Sequence, residues 1–189
     1  MATPAEHLIR RHRYTVDDFH RMGETGILRQ DDRVELIQGE IVDMAPIGTL
    51  HAATVKRLSK TLISAIGDRA IVSIQDPIVL SDFSEPLPDI ALLRYKNDYY
   101  ASGHPHVEDI LLVIEVADSS LRYDREIKLP LYASHGIPHA WLVDLENKCL
   151  TAYSQPQTGL YGRCGPATAR NHVELPGVPG VHVDLSMLF

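Results

Sequence analysis

At 189 residues, with 44% apolar and 23% charged residues, the chain has the length and composition of a globular domain with a substantial core, not of a disordered segment. Its formal charge of −7 weighs against a protein that coats nucleic acid through a basic surface. A nuclease stays open, because carboxylates clustered around a cation also lower the net charge. Cys149 and Cys164 are the only cysteines, too few for a disulfide scaffold and without the C-x-x-C spacing of zinc or redox centres, so both read as free thiols in a reducing compartment. No window approaches the roughly 18 apolar residues of a membrane span. Residues 1–13 lack the apolar centre of a signal peptide. The expectation is a cytoplasmic protein with no membrane partner, a flexible arm over 1–13 and a single domain over 14–189.

Thr15 and Asp18 form a capping-box pattern ahead of Val16, Phe19 and Met22, which predicts a short amphipathic helix. Arg33 to Ala45 reads as two strands joined through Gln38-Gly39, each carrying an acid, Glu35 and Glu40. Glu35 is expected to face solvent or to pair with Arg33. From Thr49 to Ile66, residues His51, Val55, Leu58, Leu62 and Ile66 make one helical stripe, closed by Gly67. Ala70 to Leu80 is strand-like, Ser81 to Pro88 is a polar loop, and Asp89 to Leu93 is a short strand that opens on an acid. Arg94 to Val107 reads as an exposed loop.

Ile110 to Asp118 is the centre of the pattern. It is almost continuously apolar, as in a strand covered on both faces, yet it contains Glu115. A carboxylate there must be paired, protonated or bound to a cation. Leu121 to Ser134 reads as a helix that Pro130 should kink or restart, with Asp124 and Lys128 one turn apart and Leu131 and Tyr132 in the core. His139 to Asp144, with Trp141, is another buried strand, and Lys148 to Tyr153 returns beside it. Short strands are expected near Tyr161, over 167–173 and over 181–183, then a helical turn capped by Asp184. Helix, strands, helix and further strands in this order suggest an α/β fold with a mixed sheet.

Asp89 and Glu115 on neighbouring strands could converge on one hard cation, which takes oxygen ligands, with the backbone carbonyl of Val116 as a third donor. Such a cation polarises a phosphoryl oxygen and acidifies bound water. Lys128, on the helix that leaves the Glu115 strand, could then position that water or offset charge on the phosphate. The plainer alternative is a structural ion pair of Glu115 with Lys128 or Arg122. His104 and His106 lack the partners of a zinc site.

Leu87-Pro88-Asp89, the strand around Glu115-Val116, and Lys128 resemble the PD-(D/E)XK nuclease superfamily. With Arg33 to Glu40, His51, Ile137 to Asp144 and Leu175 to Asp184 added, nearly the whole chain resembles the Uma family of restriction-endonuclease-like proteins. The resemblance implies an α/β (α+β mixed) fold with a mixed sheet flanked by helices, a site for Mg²⁺ or Mn²⁺, DNA as substrate, and a homodimer. It implies Asp89 and Glu115 as metal ligands and Lys128 as the catalytic lysine. The superfamily's usual lysine position holds Ala117 here, so the assignment depends on Lys128 reaching Glu115. Glu40 is a second-tier candidate, as a carboxylate that supports the metal through water. His51 is another, as a ligand, a proton carrier or a phosphate donor. The alternative is a catalytically silent module of the same fold that binds or dimerises.

Overall fold

The computed structural model describes residues 11–167, 172–186 and 188–189. Most of the expected N-terminal arm, and most of the strand expected over 167–173, lie outside the described residues. The chain divides into two compact units, one of the described residues up to Met44 with Ser81–Glu85, the other of Ala45–Leu80 with the described residues from Pro86 onward.

In the first unit, helix α1 (Val16–Glu24) starts on the predicted capping box: Thr15 Oγ1 accepts the Asp18 amide and Asp18 Oδ2 accepts the Thr15 amide, each at 3.1 Å. Strands β1 (Val34–Ile37) and β2 (Glu40–Asp43) pair antiparallel through Gln38 and Gly39, whose φ of 52° and 83° suit the tight turn of a two-residue hairpin. Gly39 is required twice over, since a Cβ there would lie 2.6 Å from the Arg13 Cβ. The outer edge of β1 is closed by a backbone pair between Leu36 and Glu85. Glu35 does not face solvent as expected. It is 2% exposed, because β1 is buried continuously from Glu35 to Ile37, a covering that a hairpin pattern alone cannot reveal.

The second unit is built on a six-stranded sheet of β3 (Ala70–Ile74), β4 (Ile90–Arg94), β5 (Ile110–Ala117), β6 (His139–Asp144), β7 (Cys149–Gln157) and β8 (Leu160–Pro166), side by side in that order. Only β5 and β6 run parallel, so the sheet is mixed. Every residue of β5 is buried, as its apolar run requires. Helix α2 (Thr49–Ile66) lays Val55, Leu58, Leu62 and Ile66 into one core with Leu112, Ile114, Trp141 and Val143. Its predicted bounds and stripe are those observed.

A parallel pair needs a crossover, and here it is the helical stretch after β5. This stretch is not one kinked helix. It consists of α3 (Leu121–Tyr123), a π-helical turn over Asp124–Lys128, and α4 (Leu129–Ser134) with Pro130 in its first turn. The Leu129 amide bonds the Asp124 carbonyl, five residues back. Pro130 has no amide hydrogen and its ring crowds the carbonyl four residues earlier, so the chain widens the turn ahead of it.

Three further readings change at the margins. The run from Ala70 ends as a strand at Ile74, because Gln75 turns away with a φ of 55°. Strand β7 continues past Tyr153 to Gln157 because β8 pairs with it there. The C-terminus ends in β9 (His172–Glu174) paired with β10 (His182–Asp184), and Asp184 accepts the Ser186 amide at 2.8 Å in a turn rather than capping a helix. No described helix is long and apolar enough to cross a membrane.

Candidate active site

The site grows from the β4–β5 register. Ile90, the first residue of β4, pairs with Ile114, so Asp89 directly before it arrives at the end of β5 where Glu115 and Val116 stand. Asp89 is held from three directions. Its Oδ2 accepts the Val116 amide at 2.9 Å and lies 3.0 Å from His51 Nε2. Its Oδ1 accepts Gln75 Nε2 at 3.2 Å.

Glu115 is 2% exposed. Its Oε1 accepts the Tyr132 hydroxyl at 2.6 Å and stands 3.3 Å from Lys128 Nζ. Lys128, also buried, donates to the Leu87 carbonyl at 3.0 Å, two residues before Asp89. Burial pushes the Glu115 carboxyl well above its ordinary value. The Lys128 charge opposes that shift, and the charges of Asp124 and Asp89 add to it. Arg122, the other partner considered for Glu115, lies at the surface and pairs with Glu126 at 3.0 Å. It stands six residues before Lys128, a spacing that places the two on different faces of a helical stretch.

His51 sits in the first turn of α2. Its pKa is raised, chiefly by the hydrogen bond to Asp89; burial opposes this, while the charges of Asp89, Asp118 and Asp124 support it. Its other ring nitrogen, Nδ1, is buried without a hydrogen-bond partner. Gly48 precedes the helix, and a Cβ there would stand 2.9 Å from Asp118 Oδ2, so the missing side chain lets a carboxylate approach the positive end of α2. Asp124 is buried and accepts the Ser120 hydroxyl at 2.6 Å.

Asp89, Glu115, Lys128, His51 and the backbone of Val116 are thus neighbours within the second unit. Glu40 belongs to the first unit, where its side chain is 65% exposed and stands 3.7 Å from Arg11. Sequence reasoning missed Gln75, Tyr132, Asp118 and Asp124 as members of the cluster. Tyr132 could have been found, since it follows Lys128 by four residues on a helix and so shares its face. Gln75 carries no periodic signal.

The profile of the Uma2 family, described as putative restriction endonuclease, matches residues 16–187. The chain belongs to the Uma2 family. A crystal structure titled as a putative nuclease belonging to DUF820, from Anabaena variabilis ATCC 29413, is similar with a TM-score of 0.71 and 17% identity, over 93% of this chain and 97% of that one. That likeness supports the fold: the Uma2 chain has the mixed, helix-flanked sheet of a nuclease-fold protein. Comparison with functionally curated proteins yields no match.

Proposed function

We propose that this Uma2 protein is an endonuclease that hydrolyses phosphodiester bonds in DNA with Mg²⁺ or Mn²⁺. One observation carries the reading: Asp89, directly before β4, and Glu115 on the neighbouring β5 lie close enough for their charges to interact, and a buried ammonium, Lys128, stands against Glu115.

The donor set suits a hard divalent cation. It consists of oxygens, and the acids whose charges reach Glu115 or His51 are Asp89, Asp118 and Asp124, an excess that favours a cation. Asp89, Glu115 and the carbonyl of Val116 would hold it. Bound there, the ion would polarise a phosphoryl oxygen and acidify water beside it.

The chain's own groups supply the rest. Lys128, anchored on the Leu87 carbonyl, presents a fixed ammonium that can hold the attacking water and offset charge developing on the phosphate. His51, tied to Asp89, orients that carboxylate and carries a proton beside it. The exposed free thiols of Cys149 and Cys164 suit a reducing cytoplasm. A homodimer, suggested by the family resemblance, is testable by analytical ultracentrifugation.

The deciding experiment is plasmid cleavage with added Mg²⁺ or Mn²⁺. Wild type should cut and Asp89→Ala should not; equal cleavage by the two refutes the site.

A second reading has its own support. Both Asp89 oxygens and Glu115 Oε1 already have protein donors, as in a closed structural network. A silent binding or dimerisation module would take up no Mn²⁺ in calorimetry, and uptake abolished by Glu115→Ala counts against it.

A further inference from the structure

We propose that Tyr132 and Gln75 are positioning residues that orient the two carboxylates of the site, each through one neutral hydrogen bond. The inference rests on reading Asp89 and Glu115 as cation ligands.

Tyr132 is fully buried, and its hydroxyl meets Glu115 Oε1 at 2.6 Å. Lys128 Nζ approaches the same oxygen. Two donors on one oxygen fix the rotation of the carboxylate and leave Oε2 as the oxygen for a further ligand. Their common approach follows from their spacing, since both stand on the helical stretch that leaves β5, four residues apart. The π-helical turn ends at Lys128 and α4 begins directly after it, so the turn that accommodates Pro130 also sets where the Lys128 side chain points.

Gln75 grips Asp89 twice. Its backbone amide donates to the Asp89 carbonyl at 3.1 Å, and its side-chain amide donates to Oδ1 at 3.2 Å. The grip depends on a left-handed backbone, φ 55°, at the point where β3 ends. Glycine or asparagine adopts that conformation more readily than glutamine. Neither would carry a side-chain amide as far as the carboxylate, which gives the strained glutamine a physical purpose.

Both donors are uncharged. A lysine or arginine in either place would orient the carboxylate and also cancel the negative charge that attracts a cation. A hydroxyl and an amide orient it without adding to the positive charge that Lys128 already brings to Glu115. Neutral donors behind ligating carboxylates are a general feature of metal sites, and removing one weakens metal binding by about 10- to 100-fold.

The test is Mn²⁺ titration of the full chain by calorimetry without nucleic acid. It compares wild type, Tyr132→Phe, which keeps the buried ring, and Gln75→Asn, which keeps the left-handed backbone but shortens the reach. Each variant should bind Mn²⁺ about 10- to 100-fold more weakly. In plasmid cleavage kcat should fall while KM for DNA holds, a split that a general loss of folded protein would not produce. Wild-type Mn²⁺ affinity in both variants overturns the inference and leaves the proposed function standing. A wild type that takes up no Mn²⁺ overturns the metal reading and this inference together. If Tyr132→Phe does not fold, Gln75→Asn decides the matter alone.

Discussion

Each of the two units sets a histidine Nε2 against a largely buried carboxylate, and the two pairs differ in the charged groups around them. In the first unit His20 Nε2 stands 2.8 Å from Glu85 Oε2, with side chains 42% and 4% exposed. Glu85 is also bonded to Leu36 through its backbone, so the pair pins α1 to the hairpin edge. In the second unit His51 and Asp89 are 3.0 Å apart, each 13% exposed. There the ladder brings up a second carboxylate, Glu115, and a helix brings a buried lysine to it. A histidine near an acid is therefore weak evidence of chemistry. A second acid, raised by burial and by the charges around it, and held beside an ammonium, is stronger.

The largest expected effect separates the two pairs directly. Asp89→Ala should lower metal-dependent cleavage by at least about 10²-fold. Glu85→Gln should show only as a lower melting temperature, with cleavage per folded molecule unchanged. Comparable losses of cleavage in both variants would erase the distinction drawn between the pairs.

Lys128→Met should cost about 3 kcal/mol in urea unfolding, because it leaves a buried carboxylate without its counter-charge. Adding Glu115→Gln should recover much of that loss, since it removes the orphaned charge. At the exposed Arg11–Glu40 pair, Arg11→Ala should cost less than about 0.5 kcal/mol. A Lys128→Met variant as stable as wild type would mean that the pair is not buried in solution.

The pH dependence sharpens the contrast further. The folded Glu115 carboxyl is raised, so the native state holds its proton more tightly than the unfolded chain, and burying its charge costs stability as pH climbs above the ordinary glutamate range. Thermal melts without metal should show Glu115→Gln gaining on wild type from acid toward neutral pH. A difference independent of pH would contradict the raised value.

The smallest effect belongs to His51. Its folded value is raised, so the stability it contributes through Asp89 is complete below the ordinary histidine value of 6.5 and is lost as pH rises through the elevated one. The melting advantage of wild type over His51→Asn should shrink across that window, and a constant advantage would show that protonation plays no part.

Much of the architecture is local and was legible as such. Thr15 with Asp18, Gln38-Gly39, the α2 stripe and the unbroken β5 run each carry their signal within a few residues, because caps, turns and periodic faces are short-range. The π-turn was legible only as a disturbance at Pro130. The burial of Glu35 was not legible, since the segment that closes the edge of β1 arrives from residues 81–85.

Residue types and order determined which groups this protein could bring to a site: an acid opening β4, an acid inside β5, and a lysine on the helix after it. Ala117 stands where the family resemblance implies a lysine, which leaves Lys128 as the lysine of the helix after β5 that could serve Glu115. Only the tertiary structure decided that Lys128 reaches Glu115, that Tyr132 takes the same oxygen, and that Gln75 closes on Asp89. Those contacts join residues from 13 to 17 positions apart across strand ends and helix faces. Strand order and side-chain burial set them, and neither is encoded in the local spacing of residues.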